Sequence, residues 1–359
     1  MKAQIRGIGA VGGFGSGIDS LESALINGGV APQWIEFETT RGQLRVPGYR
    51  ADTSALTEFV SIRVLRRMAH NSRMALTAAF AALADAAMMD SQQRGRLGII
   101  VATGYGATCN NFDFQHLSDD GSDFSGSPTK FSNSVHNAAA ANISIALSDR
   151  GPNHSVSHLS MSFPSALLTA LQWLREDRVD TVLIGGVDEF SKALAYARQL
   201  MPVTNSDEPQ RPLIGEGASF FVLSSAQASS ASPYGVIEHV CVEHAPRDSV
   251  LVPNAAAHIL AVQELTLPGR ISDRLPPDAR LAAYAHLYGI IPVAAAFDLA
   301  VAALSLKLGT LFPSMPLPDN AAMPNIIRTA QPLKHGSICC FQSGVRSTFG
   351  WITIGSQRS

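Results

Sequence analysis

Short apolar runs alternate along this chain with longer Ala-rich apolar stretches. The continuous apolar runs at residues 97–102 and 181–184 predict buried strands. The stretches at residues 72–88 and 163–174 predict helices, and the apolar residues of the first surround its axis, so it is predicted to be buried. Asn71 is the predicted N-cap of that helix. Strands alternating with helices in this way predict an α/β protein.

One succession of elements occurs twice. A strand, a tight corner, an apolar helix and two further strands occupy residues 154–224 and again residues 281–354. A Ser/Ala-rich joint at residues 225–233 separates the two sets and is the best candidate for a boundary. We therefore predict two similar halves with helices on both sides of their sheets: residues 1–230, with loop insertions, and residues 231–359.

The remaining segments differ in how regular their patterns are. Residues 30–70, with scattered Pro and Arg, and residues 108–130, rich in Asp, Ser and Gly, show no regular period and are predicted to be irregular. The other predicted strands are residues 3–13, 218–224, 234–243, 281–286, 336–341 and 348–354, and the other predicted helices are residues 16–28, 138–147 and about 292–308.

Composition excludes several classes of protein. A formal net charge of −2 gives no electrostatic argument for nucleic-acid binding. No apolar run is long enough to span a bilayer, since residues 292–304 are too few and include Asp298. The N-terminus is Gly-rich and strand-like, unlike a signal peptide. The spacing of the four cysteines fits neither a disulfide framework nor a metal site. We therefore predict reduced, buried thiols, no metal and a cytoplasmic location. These cysteines are Cys109, Cys241, Cys339 and Cys340.

Three glycines near the N-terminus have the spacing of a dinucleotide-binding loop. Gly7, Gly9 and Gly12 match G-x-G-x-x-G. In such folds an acidic residue ends a second strand about 20 residues further on, and none does so here. We interpret the glycines as part of the first strand and its turn, and we predict no cofactor.

The corner at Ser160 is the candidate site. It lies where a short strand runs into the helix at residues 163–174, and backbone N–H groups at a helix N-terminus favour a developing negative charge. A serine hydroxyl is not ionised at neutral pH, and the absence of a general base typically costs ~10²–10⁴ in rate. His158 would share a face with Ser160 on an extended strand. A Ser–His acyltransferase or hydrolase is therefore one hypothesis.

Segments throughout the chain resemble the β-ketoacyl synthases. The resemblance is densest before residue 225 and implies the thiolase fold: two βαβαβαββ halves in a five-layered αβαβα sandwich, working as a dimer. The segments that carry it are IRGIGAVGGFGSGIDSLESAL, LRRMAHNSRMALTAAFAALADA, FSNSVHNAAAANISIAL, RGPNHSVS, VLIGGVDE and GEGASFFVL.

The resemblance also implies a catalytic set, from which this chain departs at each position. Active members hold an acyl chain on a cysteine and use two histidines to support decarboxylation and condensation. The cysteine position falls on Ser160, the first histidine on or near Asn254, and the second near Gly289 or Ile290. The glycine-rich loop near the C-terminus reads FQSGVRS and lacks the Gly-Gly pair and the asparagine. His258 and His286 lie close enough in sequence to be proposed as replacements.

The resemblance therefore implies a catalytically silent subunit similar to a chain-length factor. Such a subunit pairs with a cysteine-bearing ketosynthase, works with an acyl carrier protein, and shapes the acyl channel in type II polyketide, polyene (including aryl polyene) or fatty-acid biosynthesis. A stand-alone acyltransferase or thioesterase using Ser160 and a homodimeric acyl-binding protein are the alternatives.

The same resemblance implies interface and channel residues around the corner. Met161 and Phe163 are candidates for shaping the channel, although ordinary core packing explains them equally well. The full set is Lys130, Phe131, Asn133, His136, His154, His158, Met161 and Phe163.

Overall fold

The computed structural model describes most of the chain, and its strands and helices alternate. The described residues are 2–39, 42–112, 127–200, 213–226, 232–244, 257–262, 279–315, 325–333 and 336–356. The strands are β1 Ala3–Gly12, β2 Gly15–Ser16, β3 Gln33–Thr39, β4 Gly42–Tyr49, β5 Leu97–Ala102, β6 Asn153–Val156, β7 Thr181–Asp188, β8 Ile214–Gly215, β9 Gly217–Ser225, β10 Val236–His244, β11 Ala257–Val262, β12 Arg280–Ala283, β13 Thr310–Leu311, β14 Gln331–Pro332, β15 Ser337–Ser343 and β16 Thr348–Gly355. The helices are α1 Ile18–Ile26, α2 Ile62–Leu65, α3 His70–Asp85, α4 Ser91–Arg94, α5 Pro128–Ser134, α6 Ala138–Leu147, α7 Ser162–Arg175, α8 Lys192–Leu200, α9 Ala285–Tyr288 and α10 Ala294–Leu308.

The main sheet repeats one strand order. Its strands lie in the order β12-β11-β15-β16-β10-β1-β9-β7-β5-β6. In chain order the first set of five strands is β1, β5, β6, β7 and β9, and the second set is β10, β11, β12, β15 and β16. From its outer edge inward, each set has the same order: its third strand, then its second, its fourth, its fifth and its first. The two first strands, β1 and β10, pair antiparallel where Ala3 faces Ile237. The duplication predicted from the sequence is thus present in the strand order, whereas the boundary at residue 230 lies outside the described residues and stays a prediction.

Two helices form the central layer. In each set, one long helix follows the third strand: α7 after β6, and α10 after β12. Each packs against strands of both sets, so both are enclosed by sheet, and α10 is buried along most of its length. Helices α3 and α6 cover the opposite face of the first set. None of the helices in the described part of the chain is long and apolar enough to cross a membrane.

The N-terminal glycines allow α3 to approach β1 closely. A Cβ atom on Gly9 would lie 2.1 Å from the carbonyl oxygen of Ala78, and one on Gly7 would lie 2.5 Å from that of Ala82. Both distances are far inside van der Waals contact, so only glycine fits. Because Gly7 and Gly9 lie within a strand, their spacing reflects packing against a helix rather than a phosphate-binding loop.

The prediction that residues 30–70 are irregular is wrong. Strands β3 and β4 form an antiparallel hairpin, to which β8 adds a third strand. The hairpin buries Ile35 and Leu44 against Phe190 and Ala195 in a small separate core. The alternation that marks this hairpin is broken by Pro47 and by charged residues, which hid it in the sequence.

Two predicted element ends also shift. Helix α3 begins at His70 after Ala69, and Asn71 is a buried residue inside the helix rather than its N-cap. Strand β7 continues through Gly185 and Gly186 to Asp188, because the ring of Phe220 occupies the space above Gly185. Glycine often interrupts or ends a strand, but here the absence of a side chain makes room for the ring of a residue on the neighbouring strand.

Candidate functional site

The corner between β6 and α7 is fixed by a serine that the sequence did not single out. A 3₁₀ turn, Leu159–Met161, joins the strand to the helix. The buried Ser162 hydroxyl accepts a hydrogen bond from the His158 N–H at 2.8 Å. It also lies 2.9 Å from the carbonyl oxygen of Thr103 and 2.6 Å from that of Leu159, and it can donate to either. Ser162 therefore ties the turn to the end of β5.

Leu159, rather than Ser160, has the strained backbone at this corner. Its φ angle is 45°, a left-handed conformation that a branched residue rarely adopts. Its side chain is 43% exposed in the isolated chain. Ser160 follows as the second residue of the turn and is half-buried.

A buried carboxylate holds the loop that follows β5, and this loop contacts the corner through Ser162. Asp188, at the end of β7, accepts hydrogen bonds from the Thr103 hydroxyl at 2.7 Å, the Gly104 N–H at 3.0 Å and the Tyr105 N–H at 2.8 Å. Burial raises the pKa of Asp188 to about 6, against the lowering effect of these hydrogen bonds. A Cβ atom on Gly104 would lie 2.2 Å from that of Pro292, so this loop also contacts the equivalent corner of the second half.

A cavity of about 390 Å³ opens beside the corner. Met161 lies beneath the turn between β15 and β16, and Cβ atoms on Gly344 and Gly350 would approach its side chain to 3.3 Å. Those two glycines thus leave space for the methionine. The cavity is lined by His158, Leu159, Ser160, Met161, His244, Gly344, Val345 and Thr348.

The cavity has no oriented nucleophile and base among the described residues. The Ser160 hydroxyl makes no hydrogen bond to any described residue. The Nδ1 atom of His158 lies 3.4 Å from the Ser165 hydroxyl instead. His244 shares the cavity wall but makes no hydrogen bond to Ser160. A serine in this arrangement lacks the positioned base that nucleophilic catalysis needs.

None of the four cysteines lines the cavity. Burial raises the pKa of the Cys339 thiol to about 12, and burial together with a hydrogen bond to Glu243 raises that of Cys241 to about 12. The pKa of Cys340 is also raised by burial. These three are therefore thiols rather than thiolates at neutral pH. The predicted burial holds for Cys339 and Cys340, whereas Cys109 and Cys241 are half-buried.

Of the two predicted histidine positions, the structure describes only the second. Asn254 lies outside the described residues. Gly289 has a φ angle of 77°, and a Cβ atom there would lie 2.5 Å from the Gly215 nitrogen. The next residue, Ile290, donates its N–H to the Leu213 carbonyl at 2.7 Å. This segment therefore packs backbone against backbone around β8.

His286 is the one proposed replacement histidine whose side chain the structure describes, and it does not line the cavity. His286 is on α9, and its carbonyl oxygen accepts the N–H of Val30 at 3.5 Å, beside α1. Burial lowers the pKa of His286. The backbone of His258 belongs to β11, and its side chain is outside the described part of the structure.

The second half contains a buried acid behind its own corner. Asp298 on α10 accepts a hydrogen bond from the Tyr288 hydroxyl, and its other carboxylate oxygen has no partner among the described residues. Burial raises the pKa of Asp298 to about 7. Tyr284 and Cys340 also face this acid. The pair is sealed in the core and does not reach the cavity.

The candidate channel and interface residues fall in different environments. His154 is exposed on β6, with its ring centroid 6.4 Å from that of Trp173. Phe131 is exposed on α5, and Lys130 is half-buried beside it. Asn133 donates to the Arg67 carbonyl at 2.8 Å, which ties α5 to the residue just after α2.

The rest of this set divides between cavity, loop and core. His158 and Met161 line the cavity. The ring of His136 packs against Gly106, where a Cβ atom would approach it to 3.1 Å. Phe163 lies in the core, with its ring centroid 5.8 Å from that of Phe221. Ordinary core packing accounts for its position.

Sequence reasoning does not propose three of the wall residues as part of the site, although one of them, Val345, belongs to the FQSGVRS loop that the resemblance identifies. Leu159, His244 and Val345 come from three segments far apart in the chain, and only the sheet order brings them together. No group of His, Cys, Asp and Glu side chains in the described ranges could hold a metal ion.

A family model and a related protein both indicate the same family for this chain. Residues 5–229 match the family model of the β-ketoacyl synthase N-terminal domain. A protein of Streptomyces virginiae, named as polyketide β-ketoacyl synthase 1, is 26% identical over 258 residues, which cover 66% of this chain. The chain spans 61% of the length of that relative.

Solved structures of low sequence identity share the fold. The ishigamide ketosynthase/chain length factor superposes with a TM-score of 0.82 at 15% identity, covering 99% of both chains. A β-ketoacyl synthase of Burkholderia phymatum gives 0.79 at 18% identity, covering 99% of this chain and 100% of that one. A type II polyketide ketosynthase solved with its acyl-carrier protein gives 0.79 at 16% identity, covering 99% of both chains. The thiolase-like fold predicted from the sequence is thus confirmed.

Proposed function

Because the chain belongs to the β-ketoacyl synthase family, we propose that it is a non-catalytic subunit of the chain-length-factor type. It pairs with a cysteine-bearing ketosynthase and shapes the acyl channel of that enzyme. The observation that carries this proposal is the corner itself: none of the cysteines lines its cavity, and its serine has no aligned base among the described residues.

Near the second histidine position, the described residues of the second half supply no catalytic group to the corner. A condensing enzyme needs donors aimed at the charge that develops in the transition state. Gly289 and Ile290, near the second histidine position, instead support the packing around β8. The corner meanwhile keeps the buried supports Ser162 and Asp188. Retained scaffolding with no aligned catalytic group among the described residues fits a subunit that serves a partner's reaction.

An unpaired sheet edge supports pairing with a second subunit. Strand β6 ends the described sheet and pairs only with β5 on its inner side. Helices α6 and α7, which flank it, carry the exposed residues Ile145 (75%) and Leu168 (40%). Exposed apolar residues beside a free strand edge mark a binding surface or a risk of aggregation. We propose that the ketosynthase subunit covers this edge.

A basic and apolar surface supports docking of the acyl carrier protein. Arg63, Arg66 and Arg67 are exposed on and just after α2, beside the exposed residues Ile62 and Val64. No salt bridge to these arginines occurs among the described residues. A concentration of positive charge on a chain with a net charge of −2 suits an acidic partner. The proposal includes a cytoplasmic heterodimer in type II polyketide, polyene or fatty-acid biosynthesis.

The decisive experiment is co-expression with a cysteine-bearing ketosynthase and an acyl carrier protein of a type II system from the same organism. We expect the two subunits to co-purify and to elongate acyl chains together. Ser160→Ala in this chain should leave the rate of product formation unchanged, whereas replacing the partner's cysteine should abolish it. A rate that collapses with Ser160→Ala would contradict the silent assignment.

A stand-alone serine enzyme is the second candidate, because Ser160, His158 and His244 all line one cavity. A substrate could draw a histidine towards the hydroxyl, since catalytic hydrogen bonds are often loose before substrate binds. The purified chain would then hydrolyse acyl thioesters, and Ser160→Ala would abolish that activity. Native mass spectrometry of the chain alone and with the ketosynthase tests the third alternative, a homodimeric acyl-binding protein.

A further inference from the structure

A second cavity, of about 380 Å³, lies beside α1 and shares no lining residue with the corner cavity. Asn27 follows the last turn of the helix, and Gly28 and Gly29 then adopt φ angles of 83° and 107°, which glycine does without strain. The Gly29 N–H donates to the Ala24 carbonyl at 2.8 Å, and the returning chain brings Val30 to the cavity. The volume is within the range of about 300–1,000 Å³ that is typical of small-molecule sites.

One face of α1 gives this cavity a polar wall. Asp19, Ser23 and Asn27 are spaced four residues apart, so their side chains follow one another about 6 Å apart along the helix axis. None of these three side chains makes a hydrogen bond or a salt bridge to a described residue. Ser20, by contrast, donates its hydroxyl to the Ser16 carbonyl at 2.8 Å. The wall therefore presents a carboxylate, a hydroxyl and an amide that the described fold leaves unengaged.

The rest of the lining is mainly apolar. Phe14 is 8% exposed, and its ring contacts that of Phe297 edge-on, with 6.3 Å between the centroids. Ala24 and Val30 supply further hydrocarbon. No Lys, Arg or His belongs to the described wall, so the cavity offers no positive charge to an anion. Its chemistry suits a cation that carries aliphatic groups.

The end of α1 adds a second position that favours positive charge. The carbonyl end of a helix carries a partial negative charge, which a basic residue in the last turn commonly offsets. The last turn of α1 contains no basic residue. The Asp19 carboxylate at one end of the wall and the helix end at the other thus both favour a cation.

We propose that this cavity binds a linear aliphatic polyamine. Asp19 holds one ammonium group, and Ser23 and Asn27 accept hydrogen bonds from the others. The methylene spacers lie against Phe14 and Val30. Spacers of three or four carbons separate the ammonium groups by a distance similar to the spacing of the three polar side chains. The inference goes beyond the proposed function, since it needs neither a partner subunit nor an acyl chain.

Isothermal titration calorimetry with the purified full-length chain at low salt tests the proposal. The probes are spermidine, putrescine and the neutral butane-1,4-diol. We expect spermidine to bind several-fold more tightly than putrescine, because it reaches further along the wall, and the diol not to bind at millimolar concentration. Asp19→Asn should weaken spermidine binding about fivefold, which is the effect of losing one exposed ion pair.

Glu22→Gln is the matched control. Glu22 lies on α1 but does not line the cavity, so this variant removes the same charge from the same helix as Asp19→Asn. We expect it to bind spermidine as the unaltered chain does. Equal weakening by the two variants would show only a general attraction of cations to the helix and would overturn the proposal. Failure of the unaltered chain to bind spermidine at millimolar concentration would overturn it as well.

A variant that fills the cavity gives an independent test. Ser23 is exposed, so the larger side chain of Ser23→Phe does not enter the core, yet it occupies the space beside α1. We expect an unchanged thermal midpoint and loss of spermidine binding. Full binding by the folded variant would place the ligand elsewhere and contradict the assignment. Because these residues belong to neither the corner cavity nor the docking surface, either outcome leaves the partner function to its own experiment.

Discussion

Asp298 should make the stability of this protein depend on pH in a defined window. Burial raises its pKa from the ordinary value of 3.8 to about 7. A carboxyl group with a raised folded pKa stabilises the fold below its unfolded pKa, and that stability is lost as the pH rises through the folded pKa. The window therefore runs from about pH 4 to about pH 7.

The magnitude follows from the two pKa values. Each pKa unit corresponds to about 1.4 kcal/mol, so the difference between 3.8 and about 7 amounts to roughly 4 kcal/mol of unfolding free energy across the window. Asn matches the neutral acid in shape and does not ionise, so Asp298→Asn should remove this component. The Tyr288 hydroxyl can still donate to the asparagine oxygen.

Urea denaturation at pH 5, 6, 7 and 8 measures the effect. We expect the unfolding free energy of the unaltered chain to fall relative to that of Asp298→Asn as pH rises, with most of the change between pH 5 and 7. Asp188, whose pKa is about 6, titrates in both proteins, so the difference isolates Asp298. Tyr288→Phe should widen the window to higher pH, because the Tyr288 hydrogen bond lowers the pKa of the acid. Parallel pH curves for the unaltered chain and Asp298→Asn would refute the reasoning.

Three further substitutions test the fold and the docking surface. Ala87→Gly should stabilise the chain by about 1 kcal/mol in urea denaturation, because Ala87 has a φ angle of 53°. Ala86→Gly, at a residue in the right-handed region, should destabilise the chain. Equal effects of the two substitutions would contradict the strain argument. Gly9→Ala should prevent soluble expression, because its Cβ atom would meet the α3 backbone at 2.1 Å, whereas Gly12→Ala, which meets a movable Phe14 ring, should be milder. Arg66→Glu should lower product formation by the co-expressed pair about tenfold at low salt, and Arg66→Lys should not. No difference between those two would argue against an electrostatic docking site.

Local pattern was sufficient for most elements of the fold. The predicted strand at residues 97–102 and the predicted helix at residues 138–147 have the same bounds in the structure. Their boundaries follow from apolar period and from breakers a few residues away. The hairpin β3–β4 was missed because its apolar face packs on a small core shared with Phe190, far along the chain.

The candidate site was only partly predictable. The corner at Ser160 could be located because a strand, a turn and a helix leave signals close together in sequence. The walls of its cavity could not, because His244 and Val345 reach it through the order of strands in the sheet. The strain at Leu159 was equally hidden, since a φ angle depends on how the turn is held by Ser162.

The sequence by itself determined the α/β class, the repeated succession of elements and the absence of a cysteine at the corner, because these depend on residue type and on neighbours along the chain. The tertiary structure decided that Gly7 and Gly9 admit a helix, that Asp298 is buried with a raised pKa, and that the retained corner opens onto an apolar cavity. These properties arise from contacts between distant segments. Burial, close approach and backbone strain are set by what packs against a residue, and the order of residues along the chain does not state that.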